Sequence, residues 1–224
     1  MKIDYRVATL QDAKGIYEVQ QATWPKEITS SQNVQNILLS EQHVIIVAAM
    51  EKHIVGYISC FATTRQTATY WEHDQLAVHP NFRGKGIGYE LITRAYDIGC
   101  IKGVDRHRAW IQINNIASQR VFSKHEFHTN IQLYQLFVCK ESLSTASATS
   151  LHGTLIPVQT LSYSGYWLEG TVSPNDFIAA RHILSSHSKH IVGMMIPCHK
   201  HELIEAAKNA NYQSIDFYHQ WWRA

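Results

Sequence analysis

Leu76-Ala77-Val78-His79-Pro80-Asn81-Phe82-Arg83-Gly84-Lys85-Gly86-Ile87-Gly88-Tyr89-Glu90-Leu91-Ile92 joins an apolar strand to an amphipathic helix through three alternating glycines. Gly84, Gly86 and Gly88 let the backbone approach a ligand closely and adopt conformations that a Cβ forbids. Their N–H groups point outward at the positive end of a helix dipole, which makes an anion site. Arg83 and Lys85 add charge beside it, so the ligand implied is a phosphate or pyrophosphate. A Walker loop needs Lys-Ser or Lys-Thr after its last glycine, and none follows here. The dinucleotide fingerprint has a different spacing and sits at the first βα unit of its fold. The glycines alone also allow a plain tight turn before a helix.

Outward from this stretch, alternation and short β-rich runs predict strands at Tyr5–Ala8, His43–Ala49, Ile54–Ala62 and Thr69–Val78. Helical spacing predicts Asp12–Gln21, with Thr9 as N-cap, and Ser31–Leu39. A helix from Gly88 to Cys100, a strand Ala109–Ile113, a helix Ile116–His125 and a strand Ile131–Val138 complete the order β-α-α-β-β-β-α-β-α-β. This is an α/β fold around a mixed sheet. Ser142 to Ser150 is rich in Ser, Thr and Ala and reads as a linker. Beyond it come strands Thr154–Tyr163 and Tyr166–Glu169, a helix opened by Ser173-Pro174, a strand His190–Ile196, a helix Lys200–Ala210 and a strand Ser214–Trp222. The expected domains are 1–140 and 154–224, joined by a linker at 141–153.

The chain has 224 residues, enough for one or two compact domains. It is 45% hydrophobic and 17% charged, which fits a globular protein rather than a disordered one. Lys and Arg number 20 against 18 Asp and Glu, without the basic excess that phosphate neutralisation demands, so no nucleic-acid partner is expected. The longest apolar run, Val44–Met50, is too short for a bilayer, and Met1–Arg6 carries no secretory h-region, so no membrane partner is expected either. Cys60, Cys100, Cys139 and Cys198 are widely spaced, which predicts reduced thiols in a cytoplasm. Cys198-His199-Lys200-His201 reads as surface or capping residues, since His199 and His201 do not share a helix face. His182, His187 and His190 read as helix-end residues, and no metal is expected.

Two motifs carry a family resemblance. Val78-His79-Pro80 followed by Arg83-Gly84-Lys85-Gly86-Ile87-Gly88 resembles the R/Q-x-x-G-x-G/A pyrophosphate loop of the GNAT N-acetyltransferases. Downstream, Asn115-Ile116-Ala117-Ser118 and Val121-Phe122-Ser123-Lys124-His125-Glu126-Phe127 resemble the family's N-x-x-A…Y-x-K-x-G-F helix and turn. The resemblance covers about residues 3–138. It implies acetyl-CoA as cosubstrate, bound where the fourth and fifth strands splay apart. Gly84, Gly86 and Gly88, with Arg83, Lys85 and Ile87, would hold the pyrophosphate. Leu76, Ala77 and Val78 would pair with the pantetheine arm, and an N–H near Leu76 would polarise the thioester carbonyl. Asn115, Ser118 and Phe122 fall where the second motif approaches the thiol end.

An amine with a pKa near 10 must lose a proton before it attacks. Glu72 and Asp74, two apart on the fourth strand, share a face, with His73 and Gln75 opposite. Glu72 resembles the base position of the histone-acetyltransferase branch and is the first choice, acting through water. Asp74 resembles the acid of polyamine-type members, and His73 is a reserve. Solvated strand residues are the plain alternative for all three. Where many members carry a tyrosine to protonate the leaving thiolate, this chain has Phe122, and Glu126 replaces the turn glycine. Trp24-Pro25 falls at the acceptor pocket or in the core. Phe217, Tyr218, Trp221 and Trp222 make an aromatic last strand. Residues 191–218 weakly repeat the order of 109–136, which predicts a degenerate GNAT-like half that packs on the first domain or mediates dimerisation, testable by truncation near residue 145. The resulting expectation is an acetyl-CoA-dependent N-acetyltransferase acting on a small-molecule or peptide amine; the alternatives are a non-catalytic acetyl-CoA-binding regulatory module and an interaction domain.

Overall fold

A computed structural model describes residues 2–27, 29–65, 68–143, 150–187 and 191–224, with side chains at 185–187 left out. Residues 144–149 of the expected linker, His190 and the His187 side chain lie outside the described residues. The chain divides into two compact units, residues 1–129 with 221–224, and residues 130–220.

In the first unit the strands are β1 (Asp4–Val7), β2 (His43–Met50), β3 (His53–Arg65), β4 (Ala68–Val78), β5 (Arg106–Gln112) and β6 (His128–Thr129). The helices are α1 (Ala13–Thr23), α2 (Ser31–Leu38), α3 (Ile87–Ile101) and α4 (Ile116–Lys124). β1 to β5 lie side by side in chain order, antiparallel until the last pairing, β4 with β5, which is parallel. A parallel pair needs a crossover, and α3 supplies it. Trp71, Leu91, Ile92, Ala95, Phe122 and Phe127 belong to one core cluster of this unit. Ile16, Val19, Val34 and Ile37 on α1 and α2 are buried as well.

Gly99 shows how tightly α3 seats. A Cβ there would collide with the His107 ring and approach Trp71 Cδ1 at 3.0 Å, and both rings are buried. Gly99→Ala is therefore expected to lower stability by about 1–3 kcal/mol through overpacking, despite alanine's better helix propensity. Thermal unfolding of the full chain measures this; an unchanged midpoint would contradict the packing.

The second unit holds β7 (Tyr134–Cys139), β8 (Thr154–Gln159), β9 (Ser164–Glu169), β10 (Ile191–Pro197) and β11 (Gln213–Arg223) as far as Gln220, with α5 (Asp176–His187) and α6 (His201–Asn209). The strand order is β11-β7-β10-β9-β8, and among the described residues β9 and β10 are the pair that runs parallel. The run β9-α5-β10-α6-β11 repeats the element order that starts at β4 in the first unit. The turn ahead of α5 is different in kind. There the buried Asp176 carboxylate accepts the backbone N–H groups of His152, Gly153 and Ser173, each at 2.9 Å.

The division differs from the expected cut at 140. β7, which follows the first unit in sequence, is hydrogen-bonded between β10 and β11. Conversely, the end of β11 pairs with β6, Trp221 opposite Thr129 and Trp222 opposite His128. Trp221 joins the first unit's core, and Arg223 donates to the His125 carbonyl (2.9 Å) and the Glu126 carboxylate (3.0 Å). Truncation near residue 145 would thus remove part of the first unit's own core and cannot serve as a clean test of the second.

Candidate active site

β4 and β5 pair only at Tyr70↔Arg106, Trp71↔His107 and Glu72↔Arg108. Beyond that rung β4 runs on to Val78 and β5 to Gln112 without pairing to each other, while β3 stays paired with β4 as far as Gly56↔Val78. The two strands therefore fork, and past Glu72 the edge of β4 that faces β5 is open. At the far end of β4 the chain makes a short turn, Pro80–Phe82, and reaches the glycines. Gly84 and Gly86 have φ of +76° and +78°, where a side chain is strained, and a Cβ at either would meet nothing within 4 Å. Gly86 is the N-cap of α3, and the first helical bond runs from Glu90 N–H to its carbonyl (3.2 Å). The N–H groups of Ile87, Gly88 and Tyr89 are left without an intrahelical acceptor. This is a cradle for an anionic group.

The remaining expected ligands sort by side chain and backbone. Ala77 and Ile87 are buried, so only their backbone is available. Leu76 and Val78 pack under Gly88, where a Cβ would sit 3.7 and 3.9 Å from them; Gly88 is thus dispensable on conformational and spatial grounds. Arg83 turns back, its Nε donating to the Val78 carbonyl (3.0 Å), and Lys85 lies 5.2 Å from the Phe82 ring centre. Asn115 caps α4 by accepting the Ser118 N–H at 3.1 Å. The Phe122 ring is buried, packed edge to face against His73 and Phe127.

The carboxylates also rearrange. Cys60 pairs with His73 and Ser59 with Gln75, so Asp74 is the extra residue of a β-bulge. The bulge breaks the expected alternation: Gln75 joins the face of Glu72 and Asp74, where its Oε1 accepts the Tyr57 hydroxyl at 3.1 Å. Glu72, the expected base, is buried and fully engaged. Its carboxylate accepts from Arg108 Nε (2.8 Å) and a second Arg108 nitrogen (2.9 Å), from Thr63 Oγ1 (2.6 Å) and from Arg65 (3.1 Å). Two guanidinium groups and a hydroxyl thus occupy both oxygens of Glu72, which ties β4 to β5 at the last rung of their ladder. His73, the reserve, is on the α3 face with Nε2 3.2 Å from His107 Nδ1 and Nδ1 3.8 Å from Cys60 Sγ; burial pushes its pKa well below the usual range.

Asp74 is the exception on this face. Its Oδ2 is enclosed and has no hydrogen-bond partner among the described residues. Burial, and then the charges of Glu27 and Glu72, push its pKa up to about 7. Glu27 comes from the segment after α1, where Gln20 Nε2 donates to it at 3.2 Å. A carboxyl poised near neutrality on the wall of an open fork has the properties of a general base. The contributions of Tyr57, Gln75 and Glu27 escape the sequence, because a bulge and a loop approach leave no periodic trace.

Residues 13–127, about half of the chain, match the profile of the acetyltransferase (GNAT) family. The chain belongs to this GNAT family. Its fold is also that of solved GNAT structures. A putative acetyltransferase from Pyrococcus horikoshii is 12% identical, with a TM-score of 0.65 over 99% of this chain and 89% of the other. The glucosamine N-acetyltransferase region of a fungal multi-domain β-N-acetylglucosaminidase is 11% identical, with a TM-score of 0.68 over 99% of this chain; the match spans only 38% of that protein. YncA of Salmonella typhimurium, a putative acetyltransferase solved with acetyl-CoA, is 24% identical over 59% of this chain and 83% of its own, with a TM-score of 0.53. No curated protein matches the sequence.

Proposed function

We propose that this GNAT acetyltransferase transfers an acetyl group from acetyl-CoA to a primary amine, with Asp74 as the general base. The observation that carries the reading is the fork itself. An open β4 edge has the glycine cradle of α3 at one end and, beside it, the Asp74 carboxyl, whose enclosed Oδ2 has no hydrogen-bond partner among the described residues. The N–H groups of the glycine turn and of Ile87, Gly88 and Tyr89 would hold the pyrophosphate, and the β4 edge from His73 to Val78 would pair with the pantetheine arm. The bound thioester supplies an electrophilic carbonyl and a thiolate leaving group. A β4 N–H near Leu76 would stabilise negative charge on the carbonyl oxygen.

Asp74 takes one of the two protons that an ammonium must lose to become an amide. The second is available to the departing thiolate, so Phe122, which has no hydroxyl, does not block turnover. Glu72 acts by placement: its arginine pairs close the crotch of the fork.

Calorimetric titration with acetyl-CoA tests the reading. Wild type is expected to bind. Gly86→Glu is expected to bind at least tenfold more weakly, because it forces a side chain into a left-handed backbone and adds negative charge to the cradle. No binding by folded wild type would overturn the proposal.

A further inference from the structure

Ser59 shares a wall with Asp74, and no step described above uses it. Tyr57 and Ser59, two apart on β3, project to one face, and the Tyr57–Gln75 hydrogen bond identifies it as the face of Asp74. Ser59 pairs directly with Gln75, and Asp74 is the bulge residue next to that rung. Ser59 is fully buried, and its Oγ, like Asp74 Oδ2, is enclosed without a hydrogen-bond partner among the described residues. The two oxygens therefore do not bond each other. Asp74 as a residue is half-buried, so the surface it exposes belongs to atoms other than Oδ2, which faces inward.

Enclosed oxygens without partners are costly, and folded proteins answer them with ordered water wherever polar groups converge. Neighbouring side chains on one face of a strand pair have Cβ atoms about 5 Å apart, a spacing that one water bridges with two hydrogen bonds of about 2.8 Å. The chemistry of the pair also differs from that around Glu72. The Arg65 and Arg108 groups on Glu72 only donate, whereas a water and a hydroxyl both donate and accept. Such partners can stay in place while a carboxyl gains and loses a proton.

We propose that Ser59 Oγ and Asp74 Oδ2 hold one buried water between them, and that Ser59 acts through it as a positioning residue for the base. The water donates to Oδ2 when Asp74 is ionised and accepts from the carboxyl when Asp74 is protonated. The inference rests on the reading of Asp74 as general base. The other ionisable groups that act on or with Asp74 are Glu72 on its own strand, Glu27 after α1, and Tyr57 and Cys60 on β3. Substituting Ser59 leaves all four in place.

Ser59→Ala deletes one of the water's two side-chain partners. Water-to-protein cross-relaxation NMR on the full chain is expected to show a long-lived water at the Ser59 β-protons and none at that position in Ser59→Ala. Without the water the Asp74 carboxylate loses a donor. The midpoint of its carboxyl-carbon titration, and the rising limb of the pH–rate profile, should both move up by about one pH unit. Ser59→Thr keeps the hydroxyl and should restore both midpoints. Folded wild type without the water contact, or a carboxyl midpoint unmoved or lowered in folded Ser59→Ala, would overturn the proposal. The carboxyl titration requires no turnover, which keeps the two readings apart. If the carboxyl midpoint moves and the rate limb does not, the water stands and Asp74 is not the base. If Asp74→Asn abolishes the limb but wild type lacks the water, this inference alone fails.

Discussion

Asp74→Asn is expected to lower kcat/KM for an amine acceptor by about 10²–10⁴-fold, the range for removing a general base, while acetyl-CoA affinity holds. In the wild type the rate should climb with pH through about 7 as Asp74 ionises, and the variant should lack that limb. Stability should move the other way. The folded carboxyl titrates at about 7 against an ordinary value of 3.8, so between those values the native state retains a proton that the unfolded chain has released. Stability then falls as pH rises across this window and levels off above it. Asparagine removes the loss, and at pH 8 the variant is expected to be more stable by about 1–3 kcal/mol. Urea unfolding at pH 5 and pH 8, beside the pH–rate profile, checks both signs. A variant that lost stability at pH 8 would show Asp74 to be structural.

Glu72→Ala is the contrasting case. Its removal strands Arg108, whose side chain is 8% exposed, and loosens Arg65. Breaking a buried pair in this way leaves an uncompensated charge and is expected to cost about 3–5 kcal/mol. Whatever fraction stays folded should keep the rising limb near pH 7, because the proposed mechanism assigns that limb to Asp74. Urea denaturation at pH 7 gives the first quantity and the pH–rate profile the second. A stably folded Glu72→Ala protein without the limb would return the base to Glu72.

Much of the first unit is readable in the chain, since its apolar spacing, glycine alternation and turn residues agree with each other. The predicted strand Thr69–Val78 and helix Gly88–Cys100 match β4 and α3 to within a residue or so at each end. β5 begins three residues before the predicted Ala109 because Arg106-His107-Arg108 reads as polar. Burial of Arg108 and His107 is made tolerable by Glu72 and His73, which lie far away in sequence. The different surroundings of Glu72 and Asp74 are hidden for the same reason. Two carboxylates two residues apart look alike until the arginines are placed, and the bulge that carries Asp74 has no signature in a strand of alternating pattern. The exchange of β7 and the end of β11 was equally invisible, since register between distant strands is set by tertiary packing.

That exchange has a consequence for how the molecule is made. Trp221 and Arg223 leave the ribosome only after every residue of the second unit, yet Trp221 is part of the first unit's core and Arg223 ties down the turn at His125 and Glu126. The earlier-synthesised half therefore waits, incompletely packed, for Trp221 and Arg223 to appear. Polypeptides terminated before residue 221 would lack the finished forked half, which links acquisition of the site to synthesis of the whole second unit.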